Sequence, residues 1–78
     1  MNFESENTSI KELIRMLLLS RGMSMHKLVQ ILHEKKGFSS SYSNLFGKLQ
    51  RGTIKFDEVR EIAKTLDYSI VFKDNKNR

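Results

Sequence analysis

Three stretches of the chain, Ser9–Gly22, Ser24–Gly37 and Ser41–Gly52, each open on a serine and close on a glycine. A serine hydroxyl accepts from the free amides of a first helical turn, and glycine takes the left-handed position that ends a helix without steric cost. Between these marks the apolar residues recur at three- and four-residue spacing, so each stretch predicts one amphipathic helix. A chain of 78 residues punctuated in this way makes one small domain. It has no cysteine to staple it, so a compact helical core or self-association must supply the stability.

The first helix opens on a capping box, Ser9 with Glu12, and turns Ile10, Leu13, Ile14, Leu17 and Leu18 inward before Arg21 and Gly22 close it. Met16 and Leu19 lie off that stripe; they either broaden the core or form a second contact surface. Ser24 caps the second helix, whose apolar residues are Met25, Leu28, Val29, Ile31 and Leu32, and which continues through His33–Lys36. Ser39, Ser40 and Ser41 are each able to cap the third. Ser41 is preferred because it places Leu45 and Leu49 inward, with Tyr42 and Phe46 on their flanks. The turn before it is longer than the three to four residues of a tight helix-turn-helix.

Phe56, Val59, Ile62, Ala63 and Leu66 make a fourth stripe, with Asp57 and Glu58 in its first turn and Asp67–Tyr68 at its end. The expected fold is all-α: a compact four-helix domain containing a helix-turn-helix, with a candidate β-strand at Ser69–Phe72. Its core is Leu13, Leu17, Leu28, Leu32, Leu45, Leu49, Val59, Ile62, Ala63 and Leu66. Residues 1–8 read as a lead-in, 9–72 as the domain and 73–78 as a polar tail. A lone strand has no hydrogen-bonding partner in a helical chain, so it either pairs with the same segment of a second chain or lies as a tail on helix one. In the first case Met16, Leu19, Ile70 and Phe72 are the expected dimer contacts.

The formal charge of +5 favours an anionic partner, and its distribution says more. From His33 to Phe56 the charged residues are Glu34 against Lys35, Lys36, Lys48, Arg51 and Lys55; from Asp57 to Asp67 the balance turns acidic. Basic character thus gathers around the third helix, whose outward side carries Ser43, Asn44, Gly47, Lys48 and Arg51. Small, polar and basic groups on one side suit a helix lying in the major groove of DNA. On that reading Ser43, Asn44, Gly47 and Lys48 face base edges. Asn44 bonds adenine N6 and N7, Lys48 donates to guanine, and Gly47 permits close backbone approach. Lys35, Lys36, Arg51 and Lys55 touch phosphates.

Catalysis has little support. His26 and His33 lack a cysteine or a spaced acid to complete a metal site, the three serines at 39–41 have no positioned base, and no phosphate-cradling glycine loop occurs. No cofactor is expected, and the sequence names no small-molecule effector. No apolar run approaches the roughly 20 residues a membrane span needs, and the lack of cysteine fits a cytoplasmic protein.

The order of caps and stripes over about residues 10–68, above all RGMSMHKLVQIL and SNLFGKLQRGTIKFDEVREIAKTLDY, resembles the Cro/C1-type (XRE-type) helix-turn-helix family of bacterial and phage DNA-binding proteins. The resemblance matches Ser24 to the family's second-helix cap and Leu28 and Leu32 to its core. It matches Leu45 to the recognition-helix anchor, and Ile62, Ala63 and Leu66 to the closing helix. Met25 and Tyr42 stand where family members often carry glutamine, and the segment His33–Ser40 is longer than usual. The resemblance implies a regulator that binds duplex DNA in a sequence-specific way, and the unpaired strand with the surplus apolar residues of helix one points to a homodimer. A protein-interaction module on the same fold, such as a small antitoxin, is the alternative; it expects an exposed apolar patch and little dependence on Lys48 or Arg51. RNA fits less well, since the chain has no stacking sheet.

Overall fold

The computed structural model describes residues 8–76. It is an all-α domain of four helices: α1 (Ile10–Ser20), α2 (Met25–Lys36), α3 (Tyr42–Arg51) and α4 (Phe56–Thr65). Serine caps the first three: the side chains of Ser9, Ser24 and Ser41 accept from the amides of Glu12, Lys27 and Asn44. At the opposite ends Gly22, Gly37 and Gly52 take positive φ, which lets the chain turn back on the last carbonyls. Helix α4 starts differently. Its N-cap is Lys55, which has no acceptor to offer, but Glu58 Oε1 accepts from the Lys55 amide at 2.9 Å and supplies the returning half of a capping box.

The core is built from Ile14, Leu17, Leu18, Leu28, Val29, Leu32, Leu45, Leu49, Ile62 and Leu66, with Ala63 buried beside them. Two residues expected in it are only half-buried, Leu13 and Val59. Leu13 lies at the edge of the arc Ile10, Ile14, Leu17, Leu18 that α1 turns inward. Along the α4 stripe burial fades toward the helix start, from Ile62 through Val59 to Phe56, which is 50% exposed and lies under the Arg60 guanidinium.

The α2–α3 connection, residues 37–41, is long but fastened. His33 Nδ1–H donates to the Phe38 carbonyl at 2.8 Å, Phe38 packs against the core, and the Ser41 amide donates to Ser39 Oγ. A second fastening ties α1 to the end of α4. Arg21 donates from Nε to the Leu66 carbonyl at 2.8 Å and from Nη2 to that of Asp67 at 3.1 Å, and its guanidinium lies 4.2 Å from the Tyr68 ring centroid. These bonds occupy carbonyls that a helix end leaves without partners.

No strand occurs among the described residues, and the one expected at Ser69–Phe72 is not formed. A ladder needs a second strand, which the rest of this helical chain does not supply. Nor does the segment bury itself on α1: Ile70, Val71 and Phe72 are 39%, 79% and 85% exposed. Of the two off-stripe residues of α1, Met16 is half-buried and Leu19 is 78% exposed.

Candidate nucleic-acid-binding surface

Leu45 and Leu49 anchor α3 in the core, which fixes the opposite side of the helix outward. That side presents Ser43, Asn44, Gln50 and Arg51, all exposed, with Gly47 among them. The Ser43 hydroxyl lies 3.3 Å from that of Ser41, at the helix cap. Asn44 uses its backbone amide for the cap, and its side-chain amide has no partner among the described residues. Gln50 is equally uncommitted. The sequence reading passed over it, although its position on the helical wheel places it beside Gly47 and its carboxamide is a recognised reader of adenine.

Gly47 is covered by its own helix. A Cβ built at residue 47 would stand 2.9 Å from Arg51 Nη1, so the missing side chain makes room for the guanidinium folded over it.

On one flank of α3 the rings form a stack. His26, from the first turn of α2, lies 4.1 Å from Tyr42, and Tyr42 lies 5.5 Å from Phe46, with the Lys11 ammonium 5.9 Å from the Phe46 centroid. The half-buried Tyr42 thus packs at the edge of the core and joins the starts of α2 and α3.

On the other flank two of the lysines expected at DNA, Lys48 and Lys36, lie in ion pairs within the chain. Lys48 Nζ lies 2.8 Å from Glu58 Oε2, with only 33% and 17% of the two side chains exposed. Lys36 Nζ lies 3.2 Å from Glu61 Oε2, a buried oxygen without an aligned hydrogen bond, so this pair acts through charge alone. The acidic stretch and the basic stretch are separate in sequence, but α4 packs against α2 and brings them together. Lys35, Arg51 and Lys55 form no ion pair among the described residues and are exposed.

Glu58 is held at both oxygens, by Lys55 N–H and Lys48 Nζ. Burial by itself raises its carboxyl, but the two hydrogen bonds and the neighbouring charges of Lys48 and Lys55 outweigh it and leave the group below the usual glutamate value. Beside the pair is a cavity of about 150 Å³, lined by Val29, Leu32, Phe38, Ser39, Asn44, Leu45, Lys48 and Glu58.

Among the described residues no group of three or more His, Cys, Asp or Glu is placed to hold a metal ion, and no helix is long and apolar enough to cross a membrane. His26 and His33 are taken up by the ring stack and the α2–α3 connection, respectively. Comparison of the chain with family models, curated proteins and solved structures finds no match.

Proposed function

We propose that the chain binds duplex DNA in a sequence-specific way, as a small cytoplasmic transcription regulator with α3 as its recognition helix. The observation that carries this reading is the outward face of α3. Ser43, Asn44, Gln50 and Arg51 are exposed there, while Leu45 and Leu49 are buried in the core behind them. Asn44 and Gln50 offer the paired donor and acceptor that read adenine, Ser43 keeps the surface low beside them, and Arg51, Lys35 and Lys55 supply positive charge for phosphates. The resemblance to Cro/C1-type proteins supports the same assignment.

Fluorescence titration of a labelled duplex across a salt series tests it. Binding weakens steeply with salt; Lys35→Ala or Arg51→Ala weakens all duplexes alike, and Asn44→Ala relaxes discrimination at one base pair. Salt-independent binding, or one unchanged specificity profile in all three variants, contradicts it.

A second reading draws on the apolar residues left in solvent. Leu19, Val71 and Phe72 are each more than three-quarters exposed, which suits a protein partner. In the leading proposal that partner is a second copy of the chain. In the alternative, the chain is an interaction module, and substitution of Arg51 leaves its function intact.

A further inference from the structure

We infer that Glu58 is a specificity-determining residue of the α3 surface: by holding Lys48 in a fixed ion pair, it withholds that cation from the phosphates of non-cognate duplexes. The inference rests on the duplex-binding reading above and deepens it.

The geometry argues that the pair persists. Lys48 sits on the flank of α3, and its ammonium lies 2.8 Å from Glu58 Oε2. The second oxygen of Glu58 accepts from the Lys55 amide at 2.9 Å, so the carboxylate is fixed in place by the start of α4. If Lys48 swung out to DNA, it would leave a half-buried anion without its cation, close to a polyanion. Breaking a partly desolvated pair from one side is unfavourable because the remaining charge is uncompensated, though solvent lowers the cost below that of a fully buried pair. A lysine already neutralised by a carboxylate releases no counterion from DNA and adds nothing to sequence-independent affinity. The flank of α3 is therefore kept electrostatically quiet, and discrimination falls to the uncharged readers, Asn44 and Gln50.

Glutamine at position 58 separates this role from folding. Its carbonyl still accepts from the Lys55 amide, as a capping box allows, while its NH₂ cannot accept from the Lys48 ammonium. The test uses the full chain as wild type, Glu58→Gln, Lys48→Ala and the double variant. Each is titrated against a fluorescein-labelled pool of random duplexes across a salt series, with helicity checked by circular dichroism.

Wild type and Lys48→Ala should share one slope of log affinity against log salt. Glu58→Gln should steepen that slope by about 0.9, the value for one additional phosphate contact, and the double variant should return to the Lys48→Ala slope. A shallower slope in Lys48→Ala than in wild type overturns the inference, because Lys48 would then already lie on phosphate. So does a steepening that survives in the double variant, which assigns it to net charge. A wild-type chain that binds no duplex even at low salt removes the duplex-binding reading, and this inference with it.

Discussion

Arg51 lays its guanidinium over Gly47, one turn earlier in α3, so closely that a methyl group at residue 47 would stand 2.9 Å from Nη1. The glycine costs the helix roughly 1 kcal/mol relative to alanine, and the contact it makes room for is the tip of a flexible side chain. Gly47→Ala should therefore displace the guanidinium and raise stability by about 0.5–1 kcal/mol. Binding of the preferred duplex should weaken at the same time, because the Arg51 guanidinium is driven from the place it holds on the outward face of α3. Urea unfolding and duplex titration of the same variant check both; a destabilised Gly47→Ala would show that Arg51 cannot move aside.

Glu58 makes stability depend on pH with a defined sign. Its folded-state value is depressed, so the unfolded chain binds its proton at a higher pH than the folded chain does. The contribution is complete above the unfolded value, near the ordinary 4.5, and is lost as pH falls through the lower folded value. Urea midpoints of wild type and Glu58→Gln should differ at neutral pH and converge in acid. A gap that stays constant through the acid range would deny the carboxylate this role.

The Arg21 clamp predicts a loss without any contact to the binding surface. Arg21→Ala removes two charge-assisted hydrogen bonds to the end of α4 and a stack on Tyr68. Since these groups are partly solvated, the expected loss is about 1–2 kcal/mol, below the full value of buried charged bonds. Thermal unfolding measures it, and an unchanged midpoint would reduce the clamp to surface decoration.

How much of this was legible in the sequence depended on how local the cause was. Ser9, Ser24, Ser41 and the glycines that follow them act within a single turn, and they place the ends of α1, α2 and α3 where the sequence reading put them. Leu45 and Leu49 sit at a spacing that can bury only one way. The ion pairs were not legible because their partners are not local. Lys48 and Glu58 are ten residues apart, Lys36 and Glu61 twenty-five, and only the packing of α4 decides that each cation meets an anion. Lys55 as an N-cap escaped notice because lysine has no acceptor, and the signal lay three residues on, in Glu58. The C-terminal β-prone segment could be read for propensity but not for a partner, and propensity alone does not form a strand.

Self-association is the expected fate of the apolar residues left outside. Leu19, Val71 and Phe72 are largely in solvent, and Ile70 is partly so. Removing everything from Ser69 onward should convert a dimer to a monomer in sedimentation at several concentrations. Affinity for a two-fold symmetric duplex should then fall much further than affinity for one half-site. If both chains dimerise equally, the interface is the α1 surface with Leu19 rather than the tail; a full-length chain that stays monomeric at high micromolar concentration removes the dimer while leaving the recognition helix in place.

The most direct test of α3 as a DNA-reading helix is selection from a pool of randomised duplexes with the full-length chain, repeated with Asn44→Ala. A recurrent two-fold symmetric sequence should emerge, with half-sites roughly 34 Å apart. In the Asn44→Ala selection, the same sequence should return with one defined base pair relaxed in each half. A pool that stays random after repeated rounds, or an identical selected sequence from both proteins, would contradict it.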